Sequence, residues 1–341
     1  MVLLSYIATV AAFAVTALAH THHPTHKGIT DLHRRSFKDS ARRSLDACSD
    51  QLQRRGVFER AEKRRAELAA RYGKRTLKAR DTEDVLNTDH HSNLTNVGPD
   101  TSAEDLFTDS PVCILSPEGE IGPFWVKGEL IRQDVRDDQE GVPVYLDGQF
   151  IDIDTCEPIE GLYWDVWNCN TTGVYSGVVD RSNGDGDDTS NLDATFLRGL
   201  QPTDSDGVAQ FHTIFPGHYG GRTTHVHVVA HVGATVLPNN TLTGGHAAHI
   251  GQLFFDQDLI DAVEETAPYN TNQVRLTTNA EDRVFGTETT GTTSDPVFNY
   301  AYLGDSLSDG ILAWITMGVN VSASYDTRYA AFYGEDGGIP A

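Results

Sequence analysis

The segment from Phe215 to His227, which reads FPGHYGGRTTHVH, constrains the fold of this chain more than any other stretch. Its first half is a glycine-rich turn, and its second half begins the run TTHVHVVAHV, whose β-branched residues predict a strand. Alternate side chains of a strand point to the same face, so His225 and His227 share one face of the predicted sheet. Tyr219 lies in the turn, which can direct its phenol back toward that face. The segment therefore predicts a sheet with a tyrosine and two histidines close together.

A second tyrosine, Tyr175, follows the apolar run GLYWDVW and so stands beyond the end of another predicted strand. Two phenolates and two imidazoles suit a hard trivalent ion such as Fe(III) better than zinc or copper(I). An H-x-H pair alone is more often an ordinary part of a strand, and buried tyrosines are usually core residues. The metal-site prediction therefore depends on the combination of Tyr175, Tyr219, His225 and His227.

After residue 110 the chain has the pattern of an all-β domain. Short apolar or alternating runs, separated by Gly, Asn and Asp, predict strands within 142–153, 161–168, 210–214, 251–255 and 310–319, and a further closing strand at Leu303. Residues 256–265 predict one short helix. Residues 182–193 resemble a loose calcium loop, but they lack the closing glutamate, which favours a solvated insertion. We predict a mainly β fold with a β-sandwich core over residues 111–335.

The first 110 residues have a different composition. Residues 1–19 are apolar and end in Ala-Leu-Ala, which predicts a secretory signal peptide, with a membrane anchor as the weaker alternative. Residues 20–110 contain a His-rich tract, an Arg-, Glu- and Ala-rich stretch that predicts one or two helices, and a polar linker. We expect an N-terminal helical extension packed outside the sandwich, and its removal as a propeptide is left open.

Charge is unevenly distributed along the chain. Residues 20–81 hold 17 of the 26 Lys and Arg but only 8 of the 49 Asp and Glu, so the remainder is strongly acidic. An acidic surface repels nucleic acid and anionic lipid, and no second run of about 18 apolar residues follows residue 19. We therefore predict neither a nucleic-acid nor a membrane partner, and the oligomeric state is left open.

Cysteines and glycosylation sequons agree with a secreted, extracellular protein. The four cysteines predict two disulfides, in which Cys156 and Cys169 each pair with Cys48 or Cys113. A bond between Cys156 and Cys169 is excluded if the strand between them is straight, because their Cα atoms are then too far apart. Candidate N-glycosylation sites are Asn93, Asn170, Asn239 and Asn320.

Four segments of the chain resemble the intradiol ring-cleavage dioxygenases, in particular their secreted fungal branch. GPFWV at 122–126 is similar to a substrate-side segment of the family, and DVWNCNTTGVYS at 165–176 to the segment that carries one tyrosine ligand. FPGHYGGRTTHVHV is similar to the segment with the second tyrosine, an arginine and both histidines. GQLFFD at 251–256 is similar to a later strand whose glutamine approaches the site. The segments follow the family's order.

The resemblance implies an enzyme with one Fe(III) per chain, and the implied metal ligands are Tyr175, Tyr219, His225 and His227. The implied reaction inserts both atoms of O2 into a catechol-type substrate and opens the ring to a cis,cis-muconate. Tyr219 and Arg222 are the implied catalytic residues. The implied neighbours of the substrate are Gln252, Phe124 and Trp125.

Other iron chemistries fit the sequence less well. A cupin needs a glutamate soon after its H-x-H pair, and none follows His227 before Glu264. A 2-His-1-carboxylate oxygenase needs an H-x-D motif nearby, which the segment lacks. The remaining alternative is a secreted protein that binds iron or phenolics at the same site with little or no turnover. The catechol that would be used is left open.

Overall fold

The computed structural model describes residues 48–73, 121–184, 186–289, 295–334 and 337–341. The predicted signal peptide, the His-rich tract, Asn93 and Cys113 lie outside these residues. The strands are β1 Val126–Lys127, β2 Pro143–Asp152, β3 Tyr163–Trp167, β4 Arg198–Pro202, β5 Val208–Ile214, β6 His225–Val236, β7 Leu242–Phe254, β8 Asn299–Tyr302, β9 Ile311–Val319, β10 Ala331–Gly334 and β11 Gly337–Pro340. The α-helices are α1 Val57–Tyr72, α2 Gln257–Glu264 and α3 Arg283–Thr289, residues 48–54 are also helical, and the 3-10 helices are Thr189–Asp193, Tyr269–Thr271 and Leu307–Asp309.

Two four-stranded sheets form the sandwich. Sheet I has the order β5-β2-β9-β8 and sheet II the order β4-β3-β6-β7. Their facing surfaces share one apolar core, to which sheet I contributes Phe150 and Phe211 and sheet II contributes Trp164, Val226 and Val228. The prediction of a mainly β fold with a β-sandwich core is confirmed.

Strand alternation divides sheet II into an apolar inner face and a functional outer face. Val226 and Val228 of β6 point into the core, so His225 and His227 point outward. The outer face is nevertheless buried, because a second apolar cluster, which includes Phe124 and the rest of segment 124–126, covers it. Both histidine side chains are therefore almost inaccessible to solvent.

The outer face of sheet I is covered by the N-terminal helix α1. Ala69 of α1 packs against Leu312 and Trp314 of β9. Arg65 of the same helix is 1% exposed and donates to Asp147 of β2. The predicted helical extension is thus confirmed, and it shares buried surface with the sandwich.

The cysteine prediction is partly wrong. Cys48 and Cys156 form a disulfide that joins residues 108 positions apart and ties the N-terminal helical region to sheet I. Cys169 is a buried free thiol whose Sγ donates to Gly217 O at 3.3 Å. It lies in the apolar cluster over sheet II, on the opposite side of the sandwich from Cys48.

Several elements were not anticipated. Strand β4, with the sequence RGLQP, lacks β-branched residues and pairs with β3 as an edge of sheet II. A small third sheet, β1-β10-β11, brings the C-terminal residues against segment 126–127. Strand β8 ends at Tyr302, so Leu303 follows it rather than belonging to a strand. In the part of the chain that the structure describes, no helix is long and apolar enough to span a bilayer.

Candidate metal centre

Tyr175 is held by a tight turn and by two buried asparagines. Asn183 Oδ1 accepts from Tyr175 N at 2.8 Å, and the Nδ2 groups of Asn183 and Asn191 donate to Tyr175 O at 2.8 and 2.7 Å. Gly173 has a φ of +88°, and a Cβ there would lie 2.3 Å from His218 O, so the turn requires glycine. Segment 182–193, interpreted from sequence as a solvated insertion, therefore has two residues that anchor the Tyr175 backbone.

The two histidines on β6 are fixed by packing from both sides. The His227 ring stacks on Trp167, with ring centroids 4.7 Å apart and an interplanar angle of 3°. Gly122, in the segment that covers sheet II, passes so close that a Cβ there would lie 2.7 Å from His227 Cε1. His225 Nδ1 bonds to Thr223 O at 2.6 Å. These contacts leave each imidazole little freedom to rotate.

Four donor atoms converge on the outer face of sheet II. His225 Nε2 is 3.1 Å from His227 Nε2, 3.4 Å from Tyr175 Oη and 3.4 Å from Tyr219 Oη. For metal–ligand bonds of about 2.1 Å, adjacent donors around one ion are separated by about 3.0–3.4 Å. The structure thus brings together all four residues that the sequence predicted as metal ligands, at spacings that suit one ion.

The hydrogen-bonding state of the imidazoles suits metal coordination. Because Thr223 O accepts from Nδ1 of His225, a neutral His225 has an unprotonated Nε2 that faces the other donors. Burial lowers the pKa of His225 to about 3, and burial also lowers the pKa of His227 well below its usual value. Among the described residues, His227 Nδ1 has no hydrogen-bond partner. Both rings are therefore neutral, as a metal ligand must be.

The two tyrosines differ in their surroundings. Tyr175 is completely buried, whereas Tyr219 is only partly buried and is followed by two glycines. Burial raises the pKa of Tyr175 well above its usual value and that of Tyr219 to about 12. The described residues contain no group of three or more His, Cys, Asp or Glu placed to hold a metal.

Arg222 lies beside the donor cluster. Its Nη1 is 3.4 Å from Tyr219 Oη, and its Nη2 donates to Gln252 Oε1. Its Nε donates to Asp282 Oδ2 at 2.8 Å. Gln252, on β7, pairs in register with His227, which explains how it reaches the site. Nothing in the sequence indicated that Asp282 lies at the site, because this residue stands far along the chain in a polar stretch.

Phe124 and Trp125, predicted as neighbours of the substrate, have different positions. The Phe124 ring centroid is 4.9 Å from that of Tyr175 and 6.2 Å from that of Tyr219. Trp125 instead donates from Nε1 to Asp165 Oδ2 at 3.0 Å. Phe124 therefore borders the donor cluster directly, while Trp125 contacts a separate polar group beside it.

That polar group is a buried charged network behind Tyr175. The Arg198 guanidinium lies 5.9 Å from the centroid of the Tyr175 ring, donates through Nε to Ser176 O, and pairs with Glu129 at 3.1 Å. Burial raises the pKa of Glu129 well above its usual value and that of Asp165 to about 6. In the sequence, this network was indicated only by Asp165, a single carboxylate within the apolar run GLYWDVW.

The glycosylation candidates within the described residues differ in accessibility. Asn239 is exposed, and Asn320 is half-buried. Asn170 is also half-buried, and its Oδ1 accepts hydrogen bonds from Thr172 and Val174 in the turn that precedes Tyr175. The Asn170 side chain therefore has a structural role in presenting Tyr175.

Comparisons with known proteins agree with this geometry. The Dioxygenase_C family model, described as a dioxygenase, matches residues 122–274. A solved intradiol ring-cleavage dioxygenase from Tetranychus urticae is 30% identical, with a TM-score of 0.51 over 63% of this chain and 98% of its own. A second solved dioxygenase is 29% identical, with a TM-score of 0.51 over 64% of this chain and 98% of its own. No curated protein matches the sequence significantly. The chain belongs to the intradiol ring-cleavage dioxygenase family.

Proposed function

We propose that this protein is a secreted, Fe(III)-dependent dioxygenase that opens a catechol-type ring between its two hydroxyl groups. The observation that carries the proposal is the convergence of Tyr175 Oη, Tyr219 Oη and His227 Nε2 around His225 Nε2, at 3.1–3.4 Å. The expected product is a cis,cis-muconate that contains both atoms of O2. Secretion is supported by the disulfide between Cys48 and Cys156, since such bonds persist in oxidising compartments.

The donor set fits ferric iron on chemical grounds. Phenolates are hard, anionic donors, and two of them offset most of the charge of a trivalent ion. The two neutral imidazoles occupy a buried face from which bulk water is excluded. A ferric ion bound by these four residues would withdraw electron density from a chelated catechol and make a ring carbon reactive toward O2.

Tyr219 is the better placed of the two tyrosines to accept a proton from the substrate. Tyr175 is fully buried and fixed by Asn183 and Asn191, whereas Tyr219 is partly exposed next to Gly220. A flexible turn allows the Tyr219 phenol to move away from its position and return. We therefore assign to Tyr219 Oη the uptake of one catechol proton.

Arg222 is placed to stabilise negative charge that develops on the substrate. Its guanidinium is 15% exposed and is held by Asp282 and Gln252, so its orientation is set before substrate binds. A fixed, partly desolvated cation lowers the energy of an anionic transition state more than a mobile one does. Phe124, which packs against both tyrosines, supplies an apolar wall next to it.

The test is oxygen uptake by purified, iron-loaded protein against a panel of catechols, with products identified by mass. The proposal predicts a red to burgundy protein that consumes O2 and yields a ring-opened diacid. His225→Ala should remove both colour and uptake. The matched control is His246→Ala, because His246 bonds to Val321 O rather than to the donor cluster. Colour without uptake on any catechol would instead favour the binding-protein alternative.

A further inference from the structure

We propose that Asp282 is a positioning residue, which holds the Arg222 guanidinium in the orientation that faces Tyr219 Oη. This inference rests on the proposed function and deepens it by naming what orients the catalytic arginine. Asp282 lies outside residues 122–274, which the family model matches, and outside every motif that the sequence revealed.

The Asp282 carboxylate joins residues 222–223 to the start of helix α3, because each of its two oxygens accepts two hydrogen bonds. Its Oδ2 accepts from Arg222 Nε and from Thr223 N, both at 2.8 Å. Its Oδ1 accepts from Val284 N at 2.7 Å and from Phe285 N at 2.8 Å, which caps the start of α3. The capped helix fixes the carboxylate, and the carboxylate fixes both the side chain of Arg222 and the backbone that follows it.

Each of the three guanidinium nitrogens of Arg222 contacts a different residue. Nε is occupied by Asp282, Nη2 by Gln252, and Nη1 faces Tyr219 Oη at 3.4 Å. A guanidinium is planar, so the bond at Nε sets the plane in which both terminal nitrogens lie. Without that bond, the guanidinium would keep only its terminal contacts, with Gln252 and at 3.4 Å with Tyr219 Oη, and nothing would fix Nε.

The Asp282 carboxylate is suited to this role because it stays charged. Burial acts to raise its pKa, but the Arg222 charge and the hydrogen bonds from Phe285 and Thr223 outweigh burial and leave the pKa below its usual value. The Asp282 side chain is 0% exposed, so water does not compete for Arg222 Nε. A charge-assisted bond in such a setting is stronger than a neutral one.

Two substitutions separate the positioning role from the capping role. Asp282→Asn retains an oxygen that can cap α3, because asparagine is a good N-cap, but it removes the charge that attracts Arg222. Asp282→Ser also retains a capping oxygen and is too short to reach Arg222 Nε. The matched control is Glu281→Gln, which neutralises a neighbouring, exposed carboxylate that pairs with Arg275.

The kinetic test is a double-mutant cycle with Arg222→Lys. Asp282→Asn should lower kcat by about 10–100-fold, as for residues that orient a functional group, with KM and the absorption band changed little. Arg222→Lys should lower kcat by about 10²-fold, and the double variant should be no slower than Arg222→Lys alone. Unaltered kcat in Asp282→Asn and Asp282→Ser, or effects that multiply in the double variant, would overturn the proposal.

A second measurement keeps the inference testable if no catechol is turned over. In metal-free protein, the Arg222 Nε–H proton should give a nuclear magnetic resonance signal protected from solvent exchange, assigned by its loss in Arg222→Lys. The signal should lose protection in Asp282→Asn and keep it in Glu281→Gln. Protection retained in Asp282→Asn would overturn the positioning role, whereas a catalytically inactive wild type with normal protection would count only against the proposed function.

Discussion

Two buried polar clusters lie on opposite outer faces of the sandwich, and they differ in how their groups are satisfied. On sheet I, Asp147 accepts from Arg64 and Arg65 of helix α1 and from Gln210. On sheet II, the ring nitrogens of His225 and His227 face each other and two phenols instead of groups of opposite charge. The first cluster is complete within the chain, whereas the second has the donor set that the proposed ferric ion would complete.

The difference shows how burial is to be interpreted in this fold. Buried charges with full partners make the packing of helix α1 on sheet I sensitive to the loss of one partner, whereas burial of neutral donors without opposite charge indicates a ligand site. The clusters should therefore respond differently to substitution, to iron and to pH.

The largest expected effect is on stability, from loss of Arg65. Its side chain is 2% exposed, so Arg65→Ala should destabilise the metal-free protein by about 3 kcal/mol, the low end for a broken buried pair, because Arg64 and Gln210 still bond to Asp147. Urea unfolding measures this loss. The control, Arg55→Ala, breaks an exposed pair with Glu157 and should cost less than about 1 kcal/mol. Equal losses in the two variants would show that α1 does not depend on its buried charge.

Iron should stabilise the protein only through the cluster on sheet II. At a free Fe(III) concentration of about 100 times Kd, wild type should gain about 2.7 kcal/mol in unfolding free energy. His227→Ala should lose this iron-dependent gain, whereas Arg65→Ala should keep it even though its starting stability is lower. An undiminished gain in His227→Ala would place the iron elsewhere.

The sequence anticipated the functional cluster better than the stabilising one. Tyr175, Tyr219, His225 and His227 could be predicted because strand periodicity and a distinctive residue combination act over short stretches of chain. Arg65 could not be paired with Asp147, because 82 residues separate them. Long-range pairing of common residue types leaves no local pattern.

The same limit explains the errors within the site. Asn183 and Asn191 stand in a run of small polar residues whose composition is that of a loop, yet they are buried under Tyr175. Asp282 is likewise distant from the motif that it supports. Cys169 was expected to form a disulfide from the even cysteine count, which carries no information on which cysteine is buried alone.

A carboxylate in the first cluster and one beside the second should respond to pH with opposite sign. Although burial acts to raise the pKa of Asp147, the adjacent Arg64 and Arg65 charges lower it to about 2, from a usual 3.8. Asp147 thus contributes about 2 kcal/mol of stability above pH 4, which is lost as pH falls through 2. Burial raises the pKa of Asp165, beside the donor cluster, to about 6, so its contribution is present below pH 4 and lost as pH rises through 6.

Unfolding free energies of Asp147→Asn and Asp165→Asn, measured from pH 2 to 8, check these signs. Relative to wild type, Asp147→Asn should lose less stability on acidification from pH 4 to 2. Asp165→Asn should lose less stability between pH 4 and 7. Parallel profiles for both variants and wild type would show that neither carboxylate has the environment described here.

The smallest expected effect concerns how Tyr175 is presented. Asn183→Ala removes hydrogen bonds to both the N–H and the carbonyl of Tyr175, each worth about 1 kcal/mol. The variant should bind iron about tenfold more weakly while retaining the colour, because Asn191 still holds the same carbonyl. An iron titration followed by absorbance measures the change, and unchanged affinity would limit Asn183 to folding of the loop.

The most direct measurement is the location of iron by anomalous diffraction from crystals of the iron-loaded protein. The account predicts one iron per chain, within about 2–2.5 Å of Tyr175 Oη, Tyr219 Oη, His225 Nε2 and His227 Nε2. Iron bound instead at the His-rich residues 20–26, or absent from the outer face of sheet II in protein that is fully loaded, would contradict it.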